Sequence, residues 1–258
     1  MYPRLSYNEI QEIVNQDGVI VHYQPQFCLR TGVLAGAEAL VRLKSGDQVY
    51  YPGSFIEKVE KDKELSNAIA SKVMKEAVKA MLEYKRVRDR FLTVAVNFGV
   101  YQLADPSIVA DVLDLLLDAS VPPKFFKVEV TEAAASHQLS KVKRVLEGLK
   151  LGGCSIAIDD FGSGYSTFSY LRVLPVDTVK LDMSLAKHIP GSAPDVELCK
   201  GLIRLSEELG IEVVAEGVET REQHDFFRKV MVDVGQGYFY SKPVEFEEVI
   251  QNKAGVVS

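Results

Sequence analysis

The chain has 258 residues, of which 47% are hydrophobic, and a formal net charge of −6. This composition predicts a buried globular core and disfavours general binding of nucleic-acid polymers, which depends on excess lysine and arginine. No apolar run approaches membrane-spanning length, and the first residues lack the pattern of a signal peptide. The three cysteines (Cys28, Cys154 and Cys199) are widely spaced without a CxxC pair, so we expect reduced thiols in a cytoplasmic protein.

Strand-like apolar runs alternate with helical patterns along the chain. The predicted strands are 19–24, 34–43, 92–97, 126–131, 154–160, 178–182, 212–215 and 233–235. The predicted helices are 52–60, 65–86, 106–117, 139–149, 166–171, 195–209, 221–229 and 246–251. No low-complexity tract or linker interrupts the alternation, so we expect one domain over residues 1–258 with its core at about 18–250.

This alternation predicts parallel strands joined by helical crossovers. The number of units fits a TIM-like (β/α)8 barrel better than an open sheet. The first two strands are separated by a short segment that contains Arg30, Thr31 and Gly32, which leaves no room for a helix. We therefore expect that these two strands could pair antiparallel.

Polar side chains recur at or near the ends of the predicted strands, where barrel enzymes place their working residues. They are Glu38, Asn97, Glu129, Glu132, Asp159, Asp160, Lys180, Asp182, Glu216 and Gln236. Strand periodicity puts the small residues Ala95 and Ala157 on the same face as Asn97 and Asp159, and bulky residues on the opposite face. The pattern predicts a pocket lined by oxygen donors.

The adjacent carboxylates Asp159 and Asp160 are the strongest local signal. Two like charges at the end of a buried strand repel each other, and a cation between them relieves the repulsion. The alternative is a turn followed by a helix N-cap, a position where aspartate is common.

The residue types favour Mg²⁺ or Mn²⁺, because carboxylate and amide oxygens are hard ligands. Zinc is disfavoured, because none of the histidines stands in a zinc-ligand spacing and each is interpreted as a surface or structural residue. They are His22, His137, His188 and His224. If Asp159 bridged two metals, the site could bind a phosphate diester and activate water. Lys180 would then orient that water or stabilise phosphoryl charge; the alternative is a structural salt bridge to Asp159 or Asp182.

The polar residues belong to successive short motifs that cover about Val21 to Pro243. The motifs are Gln24-Pro25, Glu38-Ala39-Leu40 with Arg42, Asn97, Glu129-Val-Thr-Glu132, Asp159-Asp160-Phe-Gly-Ser-Gly-Tyr165-Ser166, Lys180-Leu-Asp182, Ala215-Glu216-Gly-Val-Glu219-Thr220 and Gln236-Gly-Tyr238. In this order and at barrel-strand spacing they resemble the motifs of the EAL-domain cyclic di-GMP phosphodiesterases. The resemblance implies a TIM-like barrel that hydrolyses cyclic di-GMP to linear pGpG with two Mg²⁺ or Mn²⁺ ions.

The resemblance also implies a role for each matched residue. One metal would be held by Glu38, Asn97, Glu129 and Asp159, and the other by Asp159 and Asp160, with Glu216 and Gln236 nearby. Lys180 would contact the attacking water, so that the catalytic group is Glu38, Asp159, Asp160, Lys180 and Glu216. The substrate contacts would be Gln24, Arg42, Asp182 and Gln236. Glu132 and Glu219 would stabilise the loop at 161–166, which the family links to dimerisation.

Departures from the family motifs concern other positions. The segment after Arg42 lacks the usual Trp and His-Pro, Phe98-Gly99 follows Asn97, and Met183 follows Asp182. These departures affect expected substrate affinity and surface contacts rather than the metal ligands. The alternative to an enzyme is an inactive cyclic di-GMP receptor that signals through a partner, and a third interpretation is a scaffold with solvated acids at the barrel rim. The resemblance further implies a homodimer, and sensor or diguanylate cyclase domains in a longer parent protein.

Overall fold

A closed barrel of strands forms the centre of the molecule in the computed structural model, which describes residues 4–136, 139–162 and 167–251. Within these residues the strands are β1 Val19–Cys28, β2 Leu34–Ser45, β3 Gln48–Tyr50, β4 Thr93–Asn97, β5 Phe126–Thr131, β6 Ser155–Phe161, β7 Thr178–Leu181, β8 Glu212–Ala215 and β9 Val234–Gly235. Around the barrel the order is β1-β9-β8-β7-β6-β5-β4-β2, and β1 also pairs with β2, which closes the ring. The short β3 extends β2 as a hairpin outside the ring.

The barrel is mixed, as the short first connection predicted. β1 runs antiparallel to both of its neighbours, β2 and β9, whereas the pairs from β2 and β4 round to β8 and β9 are parallel. Parallel strands require a long crossover, and the connection between β1 and β2 is too short to supply one. The TIM-like barrel and the antiparallel first pair are both confirmed.

Helices surround the barrel. In the described residues they are α1 Tyr7–Asn15, α2 Ile56–Val59, α3 Lys63–Arg88, α4 Val100–Ala104, α5 Ser107–Asp118, α6 Glu132–Ser136, α7 Leu139–Leu151, α8 Thr167–Val173, α9 Met183–Lys187, α10 Ala193–Glu208, α11 Arg221–Lys229 and α12 Phe246–Gln251. α1 was not predicted from the sequence, although Ser6 and Glu9 form a capping box at its start, which is a signal of a helix N-terminus. The short helices α4, α6 and α9 were not predicted either, because five residues are too few to show a helical period.

Two strands are longer than predicted. β1 continues to Cys28 because it pairs with β2 as far as Phe27 opposite Leu34 and with β9 at Cys28 opposite Val234. β2 continues to Ser45 because its last residues pair with β3, up to Ser45 opposite Gln48. Main-chain pairing of this kind does not require apolar side chains, so the strands extend beyond the apolar runs. Glu38 lies in the middle of β2, where the predicted bounds 34–43 also place it, and not at the end of the strand.

The two faces of the barrel strands have different neighbours. Val94 and Ile156 belong to the hydrophobic cluster that also contains helix residues such as Met81. Ala95 and Ala157 are buried but lie outside that cluster. The bulky side chains therefore pack outward against the helices, while alanines leave space in the barrel interior below the polar residues. Among the described helices, none combines the length and apolar character needed to cross a bilayer.

Candidate metal and active site

Lys180 is the centre of a buried charge cluster inside the barrel. Its ammonium Nζ lies 2.8 Å from Glu129 Oε2, 2.9 Å from Glu216 Oε1, and 3.2 Å from both Glu38 Oε2 and Asp159 Oδ1. The Lys180 side chain is only 1% exposed. Four carboxylates from four different strands or strand ends thus surround a single ammonium, and the cluster carries excess negative charge when the acids are ionised.

The carboxylates form two groups that share Asp159. Glu38, Glu129 and Asp159 each offer an oxygen within 4.8 Å of the others, and so do Asp159, Asp160 and Glu216. In the described residues, these clusters that could hold a metal contain no histidine or cysteine. The arrangement agrees with the prediction of hard oxygen ligands and with a bridging position for Asp159.

A backbone irregularity lets both members of the aspartate pair serve the site. Neighbouring residues of a regular strand point to opposite faces. In β6 the pairing with β7 shifts between Ile158 and Phe161, and Asp160 has a left-handed φ of 56°. A bulge breaks the alternation, so that Asp159 and Asp160 both reach Glu216. Both aspartates lie within β6, and the alternative of a helix N-cap is wrong for them because α8 begins at Thr167.

The acids of the cluster differ in the direction in which their pKa values are shifted. Burial raises the pKa of Glu129 well above its ordinary value, and Lys180 offsets only part of that effect while Glu38 and Asp159 add to it. Burial likewise raises the pKa of Glu216 to about 8. Glu38 is also buried, but Lys180 and hydrogen bonds from Gln236 and Asn97 outweigh burial and lower its pKa.

At the mouth of the site, Asp160 is solvent-exposed and touches a second acid. Partial desolvation, followed by repulsion from Asp159 and Asp182, raises the pKa of Asp160 to about 6. Lys180 remains protonated, because the four carboxylates around it outweigh the effect of burial and raise its pKa well above the ordinary value.

Amide side chains hold Glu38 in place. Asn97 Nδ2 donates to Glu38 Oε1 at 2.7 Å, and Gln236 Nε2 donates to Glu38 Oε2 at 2.6 Å. The same Gln236 nitrogen donates to Gln24 Oε1 at 3.1 Å, and Gln24 Nε2 donates to the Ser241 carbonyl oxygen. The structure therefore brings Asn97, Gln24 and Gln236 to the carboxylate cluster, as the strand-end pattern and the motifs predicted.

Gly237, the residue after Gln236, packs its backbone directly against the backbone of Val218. A Cβ on Gly237 would lie 2.1 Å from the Val218 carbonyl oxygen, a distance that no other residue could tolerate. The close approach of the two backbones fixes where the Gln236 side chain enters the barrel.

Arg42 lies four residues along β2 from Glu38. The residue is buried, and its Nε has no hydrogen-bond partner, while Nη1 donates to the Val41 carbonyl oxygen. Its guanidinium lies 5.0 Å from the ring centre of Tyr51, which is 40% exposed. An unpartnered buried guanidinium nitrogen is a donor available to a ligand, so the site includes a cation that the carboxylate cluster does not neutralise.

Three predicted residues lie at the periphery. Asp182 caps α9 and accepts hydrogen bonds from the backbone and hydroxyl of Ser184, and its carboxyl also meets Asp160. Glu132 is buried at the start of α6, and Glu219 is exposed beside the cap of α11. The predicted roles of Glu132 and Glu219 concern a loop that falls largely at 163–166, outside the described residues, so these roles stay predictions.

One polar residue of the site was not predicted from the sequence. Gln26 is buried on β1 and its Nε2 donates to Gln236 Oε1 at 2.7 Å. Strand periodicity could have identified it, because Gln26 is two residues from Gln24 and therefore shares its face.

The residues present fit a pair of divalent cations. Every candidate ligand is an oxygen donor, and Glu129 Oε1 is buried without a hydrogen-bond partner. A buried carboxylate oxygen without a donor is costly, and a bound cation would satisfy it. Two such cations would also offset the excess negative charge around Lys180.

The family comparison covers most of the chain. A family model described as "EAL domain" matches residues 7–243. The "Cyclic di-GMP phosphodiesterase NbdA" of Pseudomonas aeruginosa is 35% identical over 237 residues, which are 92% of this chain and 30% of that protein. The "Signaling protein YkoW" of Bacillus subtilis is 34% identical over 246 residues, which are 93% of this chain and 30% of that protein. The chain thus spans about 30% of the length of each of these relatives.

Solved structures agree with the fold. The structure described as "PaMucR Phosphodiesterase, c-di-GMP complex" superposes with a TM-score of 0.87 at 30% sequence identity. The match covers 94% of this chain and 98% of that chain.

Proposed function

Because the chain belongs to the EAL domain family, we propose that it is a metal-dependent phosphodiesterase that hydrolyses cyclic di-GMP to linear pGpG. The observation that carries the proposal is the pair of carboxylate groups that share Asp159 around the buried Lys180. The relative and the solved structure named above, one called a cyclic di-GMP phosphodiesterase and the other a c-di-GMP complex, support the choice of substrate.

Two Mg²⁺ or Mn²⁺ ions are proposed as cofactors. Glu38, Asn97, Glu129 and Asp159 would hold one ion, and Asp159, Asp160 and Glu216 the other, with Gln236 nearby. When bound, such ions neutralise a phosphate diester and lower the pKa of a water molecule. Asn97 would present its amide oxygen to the ion, which requires its amide to turn from the present hydrogen bond with Glu38.

Lys180 is proposed as a fixed cation and not as a base. Its raised pKa keeps the ammonium protonated at neutral pH, so it can donate hydrogen bonds but cannot accept a proton. An ammonium buried among carboxylates is held in one place without reorganisation, which is what stabilisation of developing phosphoryl charge requires. Lys180 would therefore orient the attacking water and stabilise the charge on the phosphoryl oxygens.

The proposed substrate contacts are Gln24, Arg42, Asp182 and Gln236. Arg42 is the best supported of them, because its buried Nε has no partner and its guanidinium can pair with phosphate oxygens or with the acceptors on a guanine edge. Desolvated donors of this kind are worth most when the ligand supplies the missing acceptor.

A single assay tests the proposal. Purified protein is incubated with cyclic di-GMP and Mg²⁺, Mn²⁺ or EDTA, and the nucleotides are separated by chromatography. We expect pGpG with either metal and none with EDTA. Saturable binding of cyclic di-GMP in Mg²⁺ with no product after long incubation would instead support the receptor function.

The lengths of the relatives and the state of the cysteines bear on the setting of the domain. We propose that sensor or diguanylate cyclase domains accompany this domain in a longer protein, since the named relatives are about three times its length. The three cysteines are unpaired, which supports a reducing, cytoplasmic compartment. A homodimer is proposed from the family resemblance, and sedimentation velocity at several concentrations tests it.

A further inference from the structure

Gln26 connects the site to the lower part of the barrel. It follows Gln24 by two residues on β1, so both side chains point into the barrel, and only 4% of Gln26 is exposed. It faces Gly36 on β2, and a Cβ at residue 36 would lie 3.0 Å from Gln26 Oε1. The glycine therefore leaves room for the Gln26 amide.

The hydrogen bonds around Gln236 run in one direction. Glu38 is a carboxylate that accepts hydrogen bonds, so the Gln236 atom that contacts it at 2.6 Å must be the amide nitrogen. This orientation turns Gln236 Oε1 towards Gln26, which donates to it through Nε2 at 2.7 Å. Among the described residues, Gln26 is the hydrogen-bond donor to that buried oxygen. The hydrogen bond from Gln26 is thus compatible only with the orientation of the Gln236 amide that Glu38 requires.

Two polar side chains that lie below Gln26 in the barrel are paired with another partner. Below Gln26 is a cavity of about 200 Å³ at the amino-terminal end of the barrel, which Gln26 lines together with Lys127, Thr178 and Glu212. Lys127 and Thr178 both donate to Glu212 Oε2, at 2.8 and 3.0 Å. Their polar groups are therefore paired with each other at the far end of the barrel.

We propose that Gln26 is a positioning residue for the metal site and acts through Gln236. By donating to Gln236 Oε1 it keeps Gln236 Nε2 directed at Glu38, so that the Glu38 carboxylate is held in the geometry in which it meets Glu129 and Asp159. The inference rests on the proposed function, because Glu38 is the metal ligand that benefits. Partners that orient a ligating carboxylate usually change metal affinity or activity by about 10- to 100-fold when they are removed.

The test measures Mn²⁺ affinity directly, by electron paramagnetic resonance of free Mn²⁺ during titration. Gln26→Met has nearly the shape of glutamine but no donor, and we expect about tenfold weaker Mn²⁺ binding. Gln26→Asn retains an amide that is one methylene too short to reach Gln236, and it provides a second variant with the same expected direction. Thermal unfolding verifies that each variant is folded.

A double-mutant cycle separates positioning from general destabilisation. If Gln26 acts through Gln236, the double variant Gln26→Met/Gln236→Met binds Mn²⁺ no more weakly than Gln236→Met alone. The control is Thr178→Val, which also removes a buried polar group from the barrel interior; its Mn²⁺ affinity should match the wild type even if it unfolds at lower temperature. Wild-type Mn²⁺ affinity in Gln26→Met, or additive losses in the double variant, would overturn the inference.

The same measurements keep this inference distinct from the proposed function. Mn²⁺ binding needs no turnover, so a wild-type protein that binds Mn²⁺ but yields no pGpG contradicts the proposed hydrolysis and leaves the role of Gln26 supported if its variants bind more weakly. Active protein with unchanged Mn²⁺ affinity in both Gln26 variants contradicts the role of Gln26 alone.

Discussion

Lys180 Nζ lies 2.8 Å from Glu129 Oε2, while the other oxygen of that carboxylate, Oε1, is buried without a hydrogen-bond partner. The pair is therefore only half satisfied by the protein itself. The ammonium offsets one negative charge in a cluster of four carboxylates. A bound ligand must supply the positive charge and the partner for Glu129 Oε1 that the protein does not. This incomplete pairing is the physical basis of the predictions that follow.

Removal of the ammonium should destabilise the metal-free protein. Lys180→Met leaves the four carboxylates of the cluster, of which Glu38 and Glu129 are buried, without their counter-ion, and breaking a buried ion pair in this way costs about 3–5 kcal/mol. We expect a large fall in the free energy of unfolding in EDTA, partial recovery in Mg²⁺ because cations replace the lost charge, and at least about a 100-fold fall in kcat. Urea unfolding and the nucleotide assay provide the measurements.

Lys127→Met is the matched control for that variant. Lys127 is also a largely buried lysine of a barrel strand, paired with Glu212 at 2.8 Å, but it lies at the opposite end of the barrel. Its loss should lower stability without recovery in Mg²⁺ and without a change in kcat. Equal behaviour of the two variants would contradict a special role for Lys180.

The shared ligand Asp159 should control how many ions bind. Glu38→Ala and Asp159→Asn should both abolish hydrolysis while the protein stays folded, because each removes a charged ligand from the clusters. For Asp159→Asn we expect fewer than two bound Mn²⁺ ions by calorimetry, since both clusters contain this residue. Asp225→Asn, which removes an exposed acid paired with Arg221, serves as the control. Full activity in either site variant would refute the proposed chemistry.

Two substitutions at Asp160 should separate the effect of its left-handed backbone on stability from the effect of its charge on activity. Asn tolerates left-handed φ values, so Asp160→Asn should fold with unchanged or higher stability and lose metal-dependent activity. A β-branched residue does not tolerate them, and Asp160→Val should lose about 1–2 kcal/mol of unfolding free energy as well. Urea unfolding of both variants in EDTA tests this order; equal stabilities would contradict it.

The stability of the metal-free protein should fall with rising pH because of Glu216. Burial raises its pKa to about 8, so the folded protein holds the Glu216 proton more tightly than the unfolded chain does. The resulting stabilisation of the folded state is complete below the ordinary pKa near 4.5 and is lost as the pH rises to 8. Burial lowers the pKa values of His22 and His224, which acts in the opposite direction below about pH 6.5. The window from pH 6.5 to 8 therefore reports on the buried glutamates Glu216 and Glu129, whose pKa values are both raised by burial, and a Glu216 variant separates the two.

The comparison with Glu216→Gln makes this measurable. The unfolding free energy of the wild type in EDTA should decline between pH 6.5 and 8, and that of Glu216→Gln should decline less. Mg²⁺ should stabilise the wild type more at pH 8 than at pH 6.5, because ligands must release their protons to bind a cation. If the unfolding free energies of the two proteins change in parallel with pH, the pKa of Glu216 does not lie in this range, and the prediction is wrong.

Calcium should not support turnover. Ca²⁺ takes more ligands at longer distances and in a more flexible shell than Mg²⁺. We therefore expect that Ca²⁺ competes with Mn²⁺ for the site but yields no pGpG. Brisk hydrolysis with Ca²⁺ as the added metal, in protein first freed of other ions, would count against the two-ion geometry.

Much of the architecture follows from local pattern. The strands 126–131 and 212–215 and the helices 221–229 and 246–251 were predicted with the bounds that the structure has. These elements have clear apolar periods and clear ends, such as the Thr220 and Gln223 capping box before α11. The helix α1 and the full lengths of β1 and β2 were not predicted. A helix cap defines the start of α1, and long-range strand pairing defines the ends of β1 and β2, so an apolar period does not reveal them.

The sequence by itself determined the alternation of strands and helices, the family motifs and the oxygen chemistry of the site, since residue type and spacing are local properties of the chain. Only the tertiary structure decided that Lys180 contacts four carboxylates at once, that a bulge turns both Asp159 and Asp160 towards Glu216, and that Gln26 donates a hydrogen bond to Gln236. The physical reason is that these contacts join strands far apart in the chain. Closure of the barrel, rather than any local preference, sets which side chains meet inside it.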